Sequence, residues 1–290
     1  MKKISKILAV CTALSLSMGI LSGCGGQNGE GADMPQFSEI KEDEQIAVLH
    51  VKDFGDISLR FFEEYAPKAV ENFVTHVEEG YYDGISFHRV IQDFVIQGGD
   101  PEGTGMGGES IWDTDFEMEL TDKLWHFRGA LAMARTQMPV SQGSQFYIVQ
   151  AGVNPYYEID SYWDQLESYV TQQIQQEEMM FPDQTKRDFY DSKDGFQFPD
   201  EVRQKYIEVG GVPSLDGLYT VFGMVVDGMD VVDAIAAVSV DENGLPAEQV
   251  TIESAEMMTY AEYLASTESV SSEGTDGSSA DTEDSSVDAE

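Results

Sequence analysis

The chain has 290 residues, with 54 Asp+Glu against 16 Lys+Arg, a formal net charge of −38 and only two cysteines. That acidity excludes binding to a nucleic-acid backbone, whose phosphates it would repel, and a polybasic attachment to membrane lipid. Two cysteines exclude a disulfide framework and a four-cysteine zinc site, while 41% hydrophobic residues are enough for a packed core.

Residues 1–24 read MKKISKILAVCTALSLSMGILSGC. Lys2, Lys3 and Lys6 precede an apolar run from Ile7 to Leu21, the length of a signal-peptide core and short for a spanning helix. The run ends in Leu21-Ser22-Gly23-Cys24, which resembles a bacterial lipobox. That resemblance implies cleavage before Cys24 and a lipid on its thiol. Residues 1–23 are therefore expected to be a signal peptide. The mature protein is expected at the outer face of the bacterial cytoplasmic membrane, with the lipid on Cys24 as its membrane partner. Losing three lysines and no acid takes the net charge from −38 to −41, and Cys11 leaves with the signal. Residues 24–45, rich in glycine and acids, are expected to form a flexible tether with a reach of roughly 25 Å.

The folded body is expected over 46–258. Residues 46–62 alternate on either side of Asp53-Phe54-Gly55-Asp56, the pattern of a β-hairpin. Pro67 opens a helix at its first turn, with Val70, Phe73, Val74 and Val77 as its apolar stripe and Gly80 as its stop. Strands are expected at 85–91, 94–98, 129–134, 144–149, 219–226 and 248–258, and a second helix over Met229 to Val238. This is a mostly β pattern: a closed antiparallel barrel with helices packed outside.

Phe87-His88-Arg89-Val90-Ile91 runs on into Phe94-Val95-Ile96-Gln97-Gly98-Gly99-Asp100-Pro101. These segments resemble the signature of the cyclophilins, the peptidyl-prolyl cis/trans isomerases. Gly103 to Gly108, Ala130 to Arg135, Gly143 to Ile148, Leu215-Asp216-Gly217 and Val221-Phe222-Gly223 resemble further parts of that family in the same order. The resemblance covers about 46–155 and 212–258. It implies an eight-stranded barrel capped by two helices, proline-containing polypeptides as partners and no cofactor.

Rotation about an X–Pro bond faces a barrier of ~20 kcal/mol from amide resonance. Lowering it needs neither nucleophile nor metal. It needs a fixed donor that favours the twisted amide and an apolar pocket for the ring. By resemblance Arg89 is that donor, Gln97 orients it, and Phe94 completes the catalytic set. Val95, Tyr147 and Leu215 are implied as pocket walls. Ala134 and Arg135 are implied to present backbone groups, with Gln145 and Gly105 nearby, and Tyr219 stands where many members have His. Val95 replaces the Met common in eukaryotic members, and Tyr147 adds a hydroxyl that needs a partner. Ser214 stands where cyclosporin-sensitive members carry Trp, so cyclosporin binding is expected to be weak.

The glycine loop 103–108 lacks the Lys-Ser/Thr of a phosphate loop. His50, His76, His88 and His126 have no ligand spacing and read as structural or surface residues, so no metal site is expected. Between Asn154 and Pro213 lies an insertion, about 156–211, with 13 acids and 5 bases. Its apolar spacing predicts helices near 159–180 and 199–209. It enters after Tyr147 and leaves before Leu215, which makes it either packing for the barrel or a rim to the proline groove. Residues 259–290 are expected to be an acidic tail without structure, and the protein a monomer. The alternative function is a lipid-anchored module that binds or chaperones proline segments without turnover.

Overall fold

In the computed structural model, residues 34–185, 187, 189–190 and 193–273 are described, with side chains only to residue 267 in the last helix. The signal peptide, Cys24 and most of the tether lie outside these residues.

Strands β1 (Gln45–Val51) and β2 (Gly55–Phe61) form the expected hairpin. Its turn is closed by the Phe54 N–H on the Val51 carbonyl at 3.0 Å. Asp53 and Gly55 take positive φ there, a backbone tolerated by Asp and Gly. Helix α1 (Pro67–Glu78) follows, then β3 (Arg89–Val90), β4 (Val95–Gly98), β5 (Phe116–Glu117), β6 (Ala130–Met133), β7 (Val140–Gln142) and β8 (Phe146–Val149). The insertion supplies α2 (Asp160–Met180) and α3 (Asp200–Val209). The chain ends through β9 (Val221–Asp227), α4 (Met229–Ala236), β10 (Ile252–Thr259) and α5 (Tyr260–Glu273).

Eight strands form one antiparallel sheet in the order β10-β1-β2-β9-β6-β8-β4-β3, and β5 and β7 form a small second sheet. The eight-stranded sheet is rolled, but it is not the fully closed barrel expected. The predicted strand 85–91 is reduced to two residues of ladder, so β3 is too short to pair with β10. Instead, residues before β3 meet the start of β10 and the residues just before it. Gly84 N–H reaches the Ile252 carbonyl (2.8 Å), Ile252 N–H the Ile85 carbonyl (2.8 Å) and Phe87 N–H the Val250 carbonyl (2.9 Å), around an isolated Ser86–Thr251 bridge.

The rolled sheet encloses the main core, where Phe73 of α1 meets Tyr82, Phe146 and Phe222 with ring centroids 5.0, 5.2 and 5.5 Å apart. The first turn of α1 is held from outside the helix: the Glu119 carboxylate accepts the N–H groups of Lys68 and Ala69 at 3.0 and 2.9 Å. Burial raises the Glu119 pKa above the usual carboxylate range, against those two hydrogen bonds.

Two expectations about the ends need correction. The tether does not run free to residue 45. Gln36 is buried and exchanges hydrogen bonds with the Trp125 backbone (2.8 Å each), and Glu44 pairs with Arg60 at 2.8 Å. Both contacts are distant in sequence, so local composition hid them. Nor is the chain unstructured from 259, since α5 begins at Tyr260. Thr259 and Glu262 form a capping box: Glu262 Oε2 accepts the Thr259 N–H (2.8 Å) and Thr259 Oγ1 accepts the Glu262 N–H (3.2 Å). Tyr263 then packs on Ile46 and Val48, the outward residues of β1, and donates to Asp227 at 2.6 Å.

The insertion forms its two expected helices around a second core. Trp163, Phe198 and Tyr206 pack there with Trp125 and Phe127 of the segment that leads into β6. Acids inside it are paired: Glu167 meets Arg203 at 2.5 Å, and Glu177 meets both Arg135 (2.9 Å) and Arg187.

Candidate active site

A cavity of about 220 Å³ opens where β3, β4, β6 and β8 pass beneath the end of the insertion. Phe94, Val95, Leu215, Tyr147 and Tyr219 supply its apolar wall, and Arg89, Gln97, Ala134 and Arg135 its polar side. Of the eleven site residues expected in the folded body, nine line it. Gln145 stands behind Gln97, and Gly105 lies in the loop beyond.

Sheet register places the polar groups. Arg89 on β3 is opposite Gln97 on β4, which is opposite Tyr147 on β8. The Arg89 guanidinium lies 5.7 Å from the Phe94 ring centroid and faces Gln97 Oε1 at a long 3.4 Å. Gln97 Nε2 donates to Gln145 Oε1 (2.9 Å), and Gln145 Nε2 donates to the Gly107 carbonyl (2.8 Å). That carbonyl belongs to a loop wrapped around one buried carboxylate. Asp100 accepts the N–H groups of Glu102 (2.9 Å), Thr104 (2.9 Å), Gly105 (2.6 Å) and Gly107 (3.3 Å), and the Thr104 hydroxyl (3.1 Å). A Cβ on Gly107 would stand 2.5 Å from Asp100 Oδ1, so the loop needs glycine there. Burial opposes the charge on Asp100, but these donors outweigh it and hold its pKa below the ordinary carboxylate value.

The Tyr147 hydroxyl has a partner that the sequence did not reveal. His126 Nε2 lies 2.9 Å from it, while His126 Nδ1 and the His126 backbone N–H each lie 2.8 Å from Asp216 Oδ1. Tyr206 of α3 donates to Asp216 Oδ2 at 2.5 Å. A carboxylate that accepts from these groups places a proton on Nδ1, and in that tautomer Nε2 accepts the Tyr147 O–H. Burial pushes the Tyr147 hydroxyl well above its usual pKa, consistent with a retained proton. His126 is therefore a buried structural residue that positions a pocket wall from the insertion side.

The structure adds detail at two residues implied by the resemblance. The Ala134 N–H is taken by the Gln145 carbonyl at 2.9 Å, so only its carbonyl is left to offer a peptide. Arg135 contributes its side chain: it lies 4.8 Å from the Tyr219 ring centroid, donates to the Leu218 carbonyl at 2.9 Å and pairs with Glu177 of α2. Asp100, His126, Asp216 and Glu177 are the supporting residues that sequence reasoning missed.

A rolled β-sheet with helices outside carries an arginine beside a cavity with one apolar wall, the arrangement that the resemblance to the cyclophilins implies. Comparison with known proteins agrees. Residues 46–257 match the family "Cyclophilin type peptidyl-prolyl cis-trans isomerase/CLD". A Staphylococcus haemolyticus protein named "Putative peptidyl-prolyl cis-trans isomerase" is 40% identical over 220 residues, which are 76% of this chain and 95% of the relative. A Staphylococcus aureus protein (strain COL) of the same name is 40% identical over 224 residues, covering 77% and 97%. A Cryptosporidium parvum cyclophilin type peptidyl-prolyl cis-trans isomerase, crystallised in the presence of the dipeptide Ala-Pro, superposes with a TM-score of 0.51 at 25% identity, covering 74% of this chain and 99% of that one. The chain belongs to the cyclophilin-type peptidyl-prolyl cis/trans isomerases.

Proposed function

We propose that this isomerase accelerates X–Pro rotation in polypeptides that fold outside the bacterial cytoplasmic membrane, tethered there by a lipid on Cys24. The proline ring enters the cavity between Phe94, Val95 and Leu215, as the Ala-Pro dipeptide supplied to the Cryptosporidium relative suggests. Arg89 then donates toward the amide as it twists. Out of plane, the nitrogen recovers its lone pair and the carbonyl loses conjugation, so a fixed cation gains more from the transition state than from either planar isomer. No bond is broken and no cofactor is required.

The observation that carries this reading is Arg89 itself, stacked by Phe94 and faced by Gln97 at the rim of a cavity with an apolar wall. Exchange NMR on a short Ala-Pro peptide tests it with the soluble 25–290 form. Arg89→Ala is expected to slow turnover by about 10²–10³-fold, the cost of removing one preorganised donor. An unchanged rate would sink the assigned mechanism. Palmitate labelling of expressing cells, with Cys24→Ser beside the parent, tests the anchor. Label on both forms, or on neither, would overturn it. The protein is taken as a monomer, and with Ser214 beside the cavity weak inhibition by cyclosporin is expected.

A further inference from the structure

The insertion builds a second cavity against the first. A groove of about 630 Å³ runs along α2 and shares Phe94, Arg135, Leu215 and Tyr219 with the proline cavity. Its far wall is Tyr169, Gln173, Gln176 and Met180, one face of α2 at helical spacing. A polypeptide whose proline sits in the cavity must leave it in two directions, and the groove begins at the wall they share.

Among the described residues the groove presents no unpaired carboxylate, which stands out in a chain of net charge −38. Among the described residues, Glu177 is the only carboxylate lining it, and Arg135 and Arg187 pair with that carboxylate. What remains facing the groove is amide and apolar: glutamines that can hydrogen-bond an extended backbone, and Tyr169 and Met180, which are 49% and 55% exposed. At the junction with the cavity stands Ser214, small enough to leave the passage open.

Resting on the isomerase reading above, we propose that this groove is a substrate subsite. It takes the uncharged segment that flanks the proline of the client chain on one side, with a bulky apolar side chain against Tyr169 and Met180. Binding energy gained there, remote from the reacting amide, is available to hold the proline in register. The insertion thus sets which prolines are turned over.

The test uses three peptides: a short Ala-Pro core, and the same core extended by four neutral residues ending in Leu on its N-terminal or its C-terminal side. Exchange NMR reads kcat/KM for the parent, for the double variant Gln173→Glu with Gln176→Glu, and for Ser214→Trp. One extension, and only one, is expected to raise kcat/KM by about tenfold, the scale of one well-seated apolar side chain. Both variants are expected to remove that gain, and the double variant is expected to leave the core peptide unaffected. A gain on neither side, a gain on both, or a gain that survives both variants overturns the groove. In a parallel titration, the Gln173 and Gln176 side-chain amides are expected to shift with the favoured extended peptide and not with the core. This readout needs no turnover. Absence of catalysis on the core peptide therefore counts against the isomerase reading, and absence of those shifts counts against the groove.

Discussion

The Asp100 carboxylate links loop stability to acidity. It is almost wholly buried and accepts four backbone N–H groups and one hydroxyl. Its folded pKa lies below the unfolded value, so the stability it contributes is present above the unfolded pKa, near 4. That contribution is lost as the pH falls through the lower folded pKa. Asp100→Asn keeps one acceptor oxygen and loses the charge. It is expected to cost about 1–3 kcal/mol at pH 7, with a gap to the parent that narrows as the pH drops below about 4. Urea titrations at pH 7 and pH 3 measure both. A gap that stays constant would show that the carboxylate is not the loop's anchor. Asp100 stood in the recognised motif, yet its role was not read, because loop geometry alone brings those donors to one point. The cavity walls were legible because Phe87 to Pro101, Ala130 to Arg135 and Gly143 to Ile148 fall in a recognised order. His126 was not, since its partners Tyr147 and Asp216 lie 21 and 90 residues away.

At the scale of elements, α2 is joined to the site by one charge. Arg135, Glu177 and Arg187 have side chains only 6%, 8% and 0% exposed, so Glu177 bridges two guanidiniums withdrawn from water. Its removal takes the carboxylate from Arg135 and leaves Arg187 only Glu178 at 3.9 Å, and Glu177→Ala is expected to destabilise the domain by about 3–5 kcal/mol. Glu177→Gln retains acceptor oxygen without charge and is expected to fall between. Denaturant midpoints of the three forms test this, and an unperturbed alanine variant would mean that Arg135 is held by the Leu218 and Thr136 carbonyls and the Tyr219 ring without the carboxylate. The helices of the insertion were readable from the spacing of Ile159, Trp163, Leu166, Val170 and Ile174, but the bond from Glu177 to Arg135 crosses 42 residues and leaves no periodic trace. Helix α5 shows the opposite failure. Its capping box, Thr259 to Glu262, was present in the sequence, and the acidic composition beyond it dominated the reading. The strands β5 and β7 are two and three residues long, too short for any alternation to register.

For the whole molecule, the chain carries a net charge of −38, whereas the described residues that line the cavity and the groove are two arginines, one carboxylate and otherwise uncharged side chains. A neutral proline segment feels only the local contacts, whereas a charged one feels the field of the entire surface as it approaches. That field acts mainly on encounter and fades with ionic strength, since the Debye length shrinks from about 30 Å at 0.01 M salt to about 3 Å at 1 M. Three peptides with one Ala-Pro core, flanked by neutral, Asp or Lys residues, separate the local from the global term. Raising salt from 0.02 to 0.5 M is expected to leave kcat/KM for the neutral peptide nearly flat, to raise it several-fold for the Asp peptide and to lower it several-fold for the Lys peptide. Equal slopes for all three would mean that the acidity lies too far from the site to steer a client. Opposed slopes would make the surface charge a filter that disfavours acidic chains before the groove along α2 reads the residues beside the proline.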